Sequence, residues 1–244
     1  MARLALFTIL FFPIWWAQAE EIPRSDRSVQ AIAAVQNQLK ADFATGGLSW
    51  GSPAFIRIFK EEEVLEIWVK KKKTYRHFRT YQICRYSGDL GPKLQEGDGQ
   101  SPEGFYSVSP AGLNPHSRYH LSFNIGFPNQ YDQQKGRTGS YLMVHGDCVS
   151  AGCYAMAKRL IPLGSDRNQP IEEIWTLITA AFQAGHPTIP VHAFPFRLTR
   201  SNLEKHRNSE WIDFWNELLP GYQHFESTRT IPDIKTAAGQ YVFN

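Results

Sequence analysis

Cysteine and methionine are scarce in this 244-residue chain, with three of each. The cysteines, Cys84, Cys148 and Cys153, form no C-x-x-C pair, which removes the commonest thiol spacing of a zinc site. An excess of one charge is also lacking. The formal net charge of +3 falls to +2 once Arg3 is set aside, too mild a balance to argue for nucleic acid. After the first residues no apolar run is long enough to cross the ~30 Å of membrane hydrocarbon. There is no internal repeat and no low-complexity tract.

What is present begins with a leader. Arg3 supplies a positive start, Leu4 to Ala17 an apolar run, and Ala17-Gln18-Ala19 a small-x-small cleavage site, so residues 1–19 read as a secretory signal. That predicts a periplasmic protein with no integral membrane span after cleavage. The remainder divides into a helical segment over 20–51, a catalytic domain over 52–196 and a helical extension over 197–244.

The chemistry is densest between Tyr141 and Met156. An apolar strand delivers His145 to a turn at Gly146, and Ser150-Ala151-Gly152-Cys153 follows. If Ser150 caps a helix, Cys153 lies in its first turn, where the helix dipole and a nearby imidazole lower a thiol pKa. Gly152 leaves room for a carbonyl to approach, and first-turn amides would hold the oxyanion. Lys158 and Arg159 would then suit the helix end, with Pro162 stopping it. The segment thus predicts a cysteine acyl-transfer enzyme with Cys153 as nucleophile and His145 as base, supported by Gly146, Ser150 and Gly152. Other uses of the same residues stay open: a buried structural cysteine, a zinc site at His145, Cys148 and Cys153, or a Cys148–Cys153 disulfide. A free Cys153 leaves Cys84 and Cys148 either bridged or separately reduced.

His-Gly followed by Ser-x-Gly-Cys resembles the signature of the L,D-transpeptidase (YkuD-type) family, in its YafK-like branch. The flanks Leu90-Gly91-Pro92-Lys93, Glu96 to Gly104 and Tyr119 to Asn124 are similar to it as well, so the resemblance runs from about Phe55 to Phe196. It implies a mixed α+β fold, a β-rich sandwich or barrel-like catalytic domain with flanking helices. It further implies attack on peptidoglycan stem peptides beside meso-diaminopimelate, through a Cys153 thioester and with no metal or organic cofactor. An amine acceptor would make a transpeptidase. Water would make an amidase or carboxypeptidase, such as one releasing a wall-linked lipoprotein. Many members carry an arginine two residues after the cysteine, where this chain has Ala155; Arg137 is a candidate for its role. The strand at 119–125 would neighbour the His145 strand, so His120 is a second candidate substrate contact or else a satisfied half-buried histidine, and Tyr154 is a third candidate. A peptidoglycan-binding module without chemistry is the non-enzymatic alternative.

Periodicity fills in the rest. Val29, Ile32, Val35, Leu39 and Phe43 mark a helix capped by Ser25 and ended by Gly46-Gly47. Strands are expected at 55–59, 64–69, 75–86, 105–108, 119–125 and 188–194, with an exposed lysine turn at 70–73. The long Gly/Pro/Asp-rich loop 88–104 invites a lid. Asn168 would cap a helix from Pro170 to about Ala184, and a second helix with an aromatic stripe at Trp211, Phe214, Trp215, Leu218 and Leu219 would end at Pro220-Gly221.

Overall fold

The structure, a computed structural model, describes residues 21–158 and 166–244. The leader at 1–19 and its cleavage site lie outside the described residues, as do Arg159 and Pro162. The first helix, α1 (Asp26–Thr45), starts where its sequence says it should. Ser25 Oγ accepts the N–H of Ser28, the reciprocal capping bond is present, and Gly46 closes the far end. Its buried face is Ser28, Ala31, Val35, Leu39 and Phe43. Val29 is exposed, so the apolar stripe lies slightly rotated from the expected one.

Three antiparallel strands follow: β1 (Ala54–Phe59), β2 (Val64–Lys71) and β3 (Thr74–Gln82). With β4 (Gly104–Val108) and β9 (Ile189–Phe194) they form a five-stranded sheet ordered β3-β2-β1-β9-β4, in which β1 and β9 run parallel. β1 is buried along its whole length, as expected of a central strand covered on both faces. A second sheet, ordered β5-β6-β7-β8, is built from β5 (Leu113–Asn114), β6 (Ser122–Asn124), β7 (Met143–His145) and β8 (Tyr154–Ala155). The chain beyond β3 ties the two sheets together: the N–H of Cys84 donates to Ala155 O and that of Ala155 to Arg85 O.

α1 and α3 (Gln169–Gln183) share one hydrophobic core with strands of both sheets. α3 is buried on almost every side, so little of it faces water. A short α2 (Gln130–Gln134) lies before β7. The C-terminal part contains α4 (Arg200–Lys205), α5 (Ile212–Thr228) and a hairpin of β10 (Ile234–Ala237) with β11 (Gln240–Phe243). It is therefore a helical and β extension, and it shares a core with Phe59, Phe105 and Phe194 of the sheet.

α5 does not stop at Pro220-Gly221; it continues to Thr228. Pro220 sits on the exposed side, where the carbonyl it leaves unbonded can face water. Gly221 faces inward, and a Cβ there would come within 2.5 Å of Phe243 and 2.7 Å of Phe105. Only glycine lets this helix approach the sheet so closely. The mixed α+β class expected from the sequence is the class observed.

Candidate active site

Loop 88–104 is held down from beneath. Lys60 Nζ, fully buried, donates to Gly91 O, Ser101 O and Glu103 Oε1 at 2.9–3.1 Å. Glu103 in turn accepts the Gly91 N–H and the Trp215 Nε1–H. The loop is thus a scaffold rather than the lid its length suggested. Lys93, nearly buried, is held by Asp98 and Gln95 O. The hydroxyl of Ser101 reaches up to Cys153 O at 3.3 Å.

No helix begins at Ser150. Residues 151–153 are bends, and Tyr154 enters β8, parallel to β7 with Val144 opposite Tyr154 and His145 opposite Ala155. The hydroxyl that should have capped a helix has better partners. Ser150 Oγ donates to Cys153 O at 2.7 Å and accepts from Gly152 N and from Ser87 Oγ, 63 residues away. Gly152, at φ +134, makes the sharp bend, and a Cβ there would press on Leu142. Two expectations fail with the helix. There is no helix dipole at Cys153, and the Gly152 amide is engaged by Ser150. The Cys153 N–H, by contrast, donates to no acceptor among the described residues.

Cys84 and Cys148 form a disulfide, leaving Cys153 the free thiol. The bridge also disposes of a zinc site at His145, Cys148 and Cys153 and of a Cys148–Cys153 bond. The register places Cys153 one residue before β8, on the same face as His145 of the neighbouring strand, since side chains alternate along a strand. Both line one cleft of about 550 Å³, with Asn114, Ser122 and Met143 among its other walls.

The thiol rests on weak contacts. Sγ accepts the Met143 N–H at 3.4 Å and donates to Tyr141 O at 3.7 Å. The His145 ring is 2 % exposed. Its Nδ1 bonds to the carbonyl of Gly146. A carbonyl only accepts, so Nδ1 carries the proton and Nε2 is the basic nitrogen. Tyr119 stacks on the ring at 4.7 Å. Burial pushes the Cys153 thiol above its ordinary pKa, opposed by the Met143 amide and the Lys93 ammonium. Burial also pulls His145 below the ordinary histidine value, opposed by the Gly146 carbonyl and Asp147. Both shifts favour the neutral forms, contrary to the expectation of a lowered thiol pKa.

Gly146 is required by space: a Cβ there would lie 2.7 Å from Tyr119 O and 2.9 Å from Asn168 Oδ1. That Asn168 oxygen makes no cap for α3 and instead accepts the Asp147 N–H, fixing the turn behind His145.

Three expected substrate contacts are absent from the cleft wall. His120 adopts φ +72, breaking the strand alternation, and its ring pairs with Glu172 at 2.7 Å. Arg137 is bound to buried Asp132 and covers the Tyr131 and Phe214 rings. Tyr154 is wholly buried, with its hydroxyl donating to Pro102 O. The wall is instead made by His116, Ser117, Arg118 and Tyr119, a turn in place of the strand start expected at Tyr119. α1 braces that turn, through Ser25 Oγ to Pro115 O and Arg27 to the carbonyls of Ser117 and His120.

No family model matches the chain. Over 192 residues it is 49% identical to the protein named "Putative L,D-transpeptidase YafK" of Escherichia coli (strain K12), covering 79% of this chain and 74% of that protein. The protein of the same name in Escherichia coli O157:H7 gives the same figures. Among solved structures, the helical cell shape determining protein Pgp2 from Campylobacter jejuni aligns at 18% identity and a TM-score of 0.46, over 78% of this chain and 75% of that one. A single-residue mutant of Pgp2 is matched over 57% of its length. Bdellovibrio bacteriovorus Bd1075 aligns at 21% identity and a TM-score of 0.40.

Proposed function

The chain belongs to the L,D-transpeptidase family, and from that premise we propose that it is an exported peptidoglycan enzyme working through a thioester on Cys153. What carries this reading is the pairing of a free thiol with an imidazole, on one face of adjacent parallel strands and in one cleft. His145 Nε2 removes the thiol proton as sulfur leaves the Tyr141 carbonyl and attacks the stem-peptide carbonyl beside meso-diaminopimelate. The N–H of Cys153 stabilises the oxyanion. The imidazolium then protonates the leaving amine as the carbon–nitrogen bond breaks. An amine or water takes the acyl group from sulfur. Only protons and an acyl group move, so no metal or organic cofactor is called on.

The Cys84–Cys148 disulfide favours an oxidising compartment, hence the periplasm. Incubating sacculi with wild type and with Cys153→Ala, followed by muropeptide analysis, tests the reading. Expected are a thioester mass on Cys153 and changed muropeptides with wild type only. New crosslinks would identify an amine acceptor, and shortened stems or released lipoprotein would identify water. Turnover by Cys153→Ala would overturn the mechanism. Sacculus binding without any product from wild type would leave a binding module.

A further inference from the structure

Among the described side chains that line the cleft, Arg118 is the only one always ionised, and no described carboxylate joins it there. Arg118 is exposed and forms no ion pair among the described residues; its guanidinium lies 4.7 Å over the ring of Tyr119, the ring that stacks on His145. Two other described cations near the cleft are already engaged. Lys93 is held by Asp98, and Arg27 is spent on two carbonyls of the turn that carries Arg118. Across the sheet the β7–β8 side offers Tyr141 and Val149, both exposed and uncharged. An unpaired guanidinium facing an acid-free cleft selects a ligand carrying an anion on that side, because a carboxylate gains charge-assisted and often bidentate hydrogen bonds.

We propose that Arg118 receives a free carboxylate of the acyl donor and sets the preference for unamidated stem peptides. The inference rests on the acyl-transfer reading of the same cleft. Tyr119 couples the two functions in space. It carries Arg118 beside one part of the wall and holds the His145 ring, so a bound carboxylate has a fixed place relative to the basic nitrogen.

The test compares wild type, Arg118→Gln and Arg118→Lys on stem tetrapeptides in which one carboxyl at a time is masked as its amide. On the free acid, Arg118→Gln should lose about ten- to a hundredfold in kcat/KM, mostly through KM, the scale of one charge-assisted contact. For one of the amides that penalty should shrink to within about twofold. Arg118→Lys should recover part of the loss, and raised salt should raise the wild-type KM. An equal penalty on every peptide, or none on any, overturns the proposal. Failure of the acyl-transfer reading itself is separable. Calorimetry of the acid and amide peptides on Cys153→Ala, with and without Arg118→Gln, reads recognition with no turnover. Equal affinity of Cys153→Ala for acid and amides would also overturn it.

Discussion

Two buried polar constellations meet at Ser101, and they are built to opposite rules. Beneath it, Lys60 and Glu103 are both fully buried and saturated, the ammonium with three acceptors and the carboxylate with three donors. Above it, the Cys153 thiol has two long contacts and His145 a single backbone carbonyl. A saturated network leaves nothing to react, whereas an undersupplied thiol and imidazole can change partners when substrate arrives. Rigidity has been placed one layer behind the chemistry. Removing a group above should cost activity, and removing one below should cost stability.

The largest effect sharpens that division. Cys153→Ala should lower turnover by four or more orders of magnitude, since the covalent step has no substitute, while the midpoint of urea unfolding stays near wild type. A collapse of stability in Cys153→Ala would break the comparison. Glu103→Ala should do the reverse. It strands the Lys60 ammonium in a dry site and should cost about 3–5 kcal/mol of unfolding free energy, read by denaturant titration, with the folded fraction keeping activity within about tenfold. Burial pulls the Lys60 ammonium below its ordinary pKa, against Glu103, and the carboxylate's loss removes that opposition.

How much of this was legible in the sequence follows from how local each signal is. Cys153 and His145 stand out because a thiol and an imidazole lie eight positions apart around glycines. Helix α1 is legible because its cap and its apolar period are both local. The helix expected at Ser150 is absent because Ser150 found a partner in Ser87, and nothing at Ser150 announces a residue so far away. Strand alternation puts His120 on the face of Ser122 and Asn124, and one positive φ undoes alternation. Arg118 gives no signal and Tyr119 reads only as the start of a strand, because the turn that carries them is braced by α1, about ninety residues upstream.

The pH dependence tests the same division with no mutation in the cleft. His145 must be neutral to act as base, and its pKa is lowered by burial. Activity should therefore hold as pH falls through the ordinary histidine value and drop only below it. Stability behaves differently. His192 is buried among the Phe55, Phe105 and Phe194 rings, and burial, with Arg57 nearby, holds its pKa well below the usual value. Between that lowered pKa and about 6.5 the unfolded chain binds protons that the folded chain does not. Stability should be fully present above about 6.5 and decline as pH falls through that window. Unfolding titrations should show the slope, and His192→Gln should flatten it while leaving the activity profile in place. An activity limb that moved with His192→Gln would tie the two regions together.

The smallest effect concerns the brace. Arg27 donates to Ser117 O at 2.7 Å and His120 O at 2.8 Å, holding the turn between them on which Arg118 and Tyr119 stand. The contact is largely solvent-accessible, so its worth is about 1 kcal/mol, roughly fivefold in a binding constant. Arg27→Ala should raise KM about three- to tenfold with little change in kcat, because the thiol and imidazole are anchored from the other side, by the Cys84–Cys148 bridge and Asn168. It should also narrow the gap between acid and amide peptides, which a merely destabilised fold would not do. Arg27→Lys, which keeps the charge on a shorter side chain, should fall between. A drop in kcat with KM unchanged would place α1 behind the nucleophile instead of behind the wall.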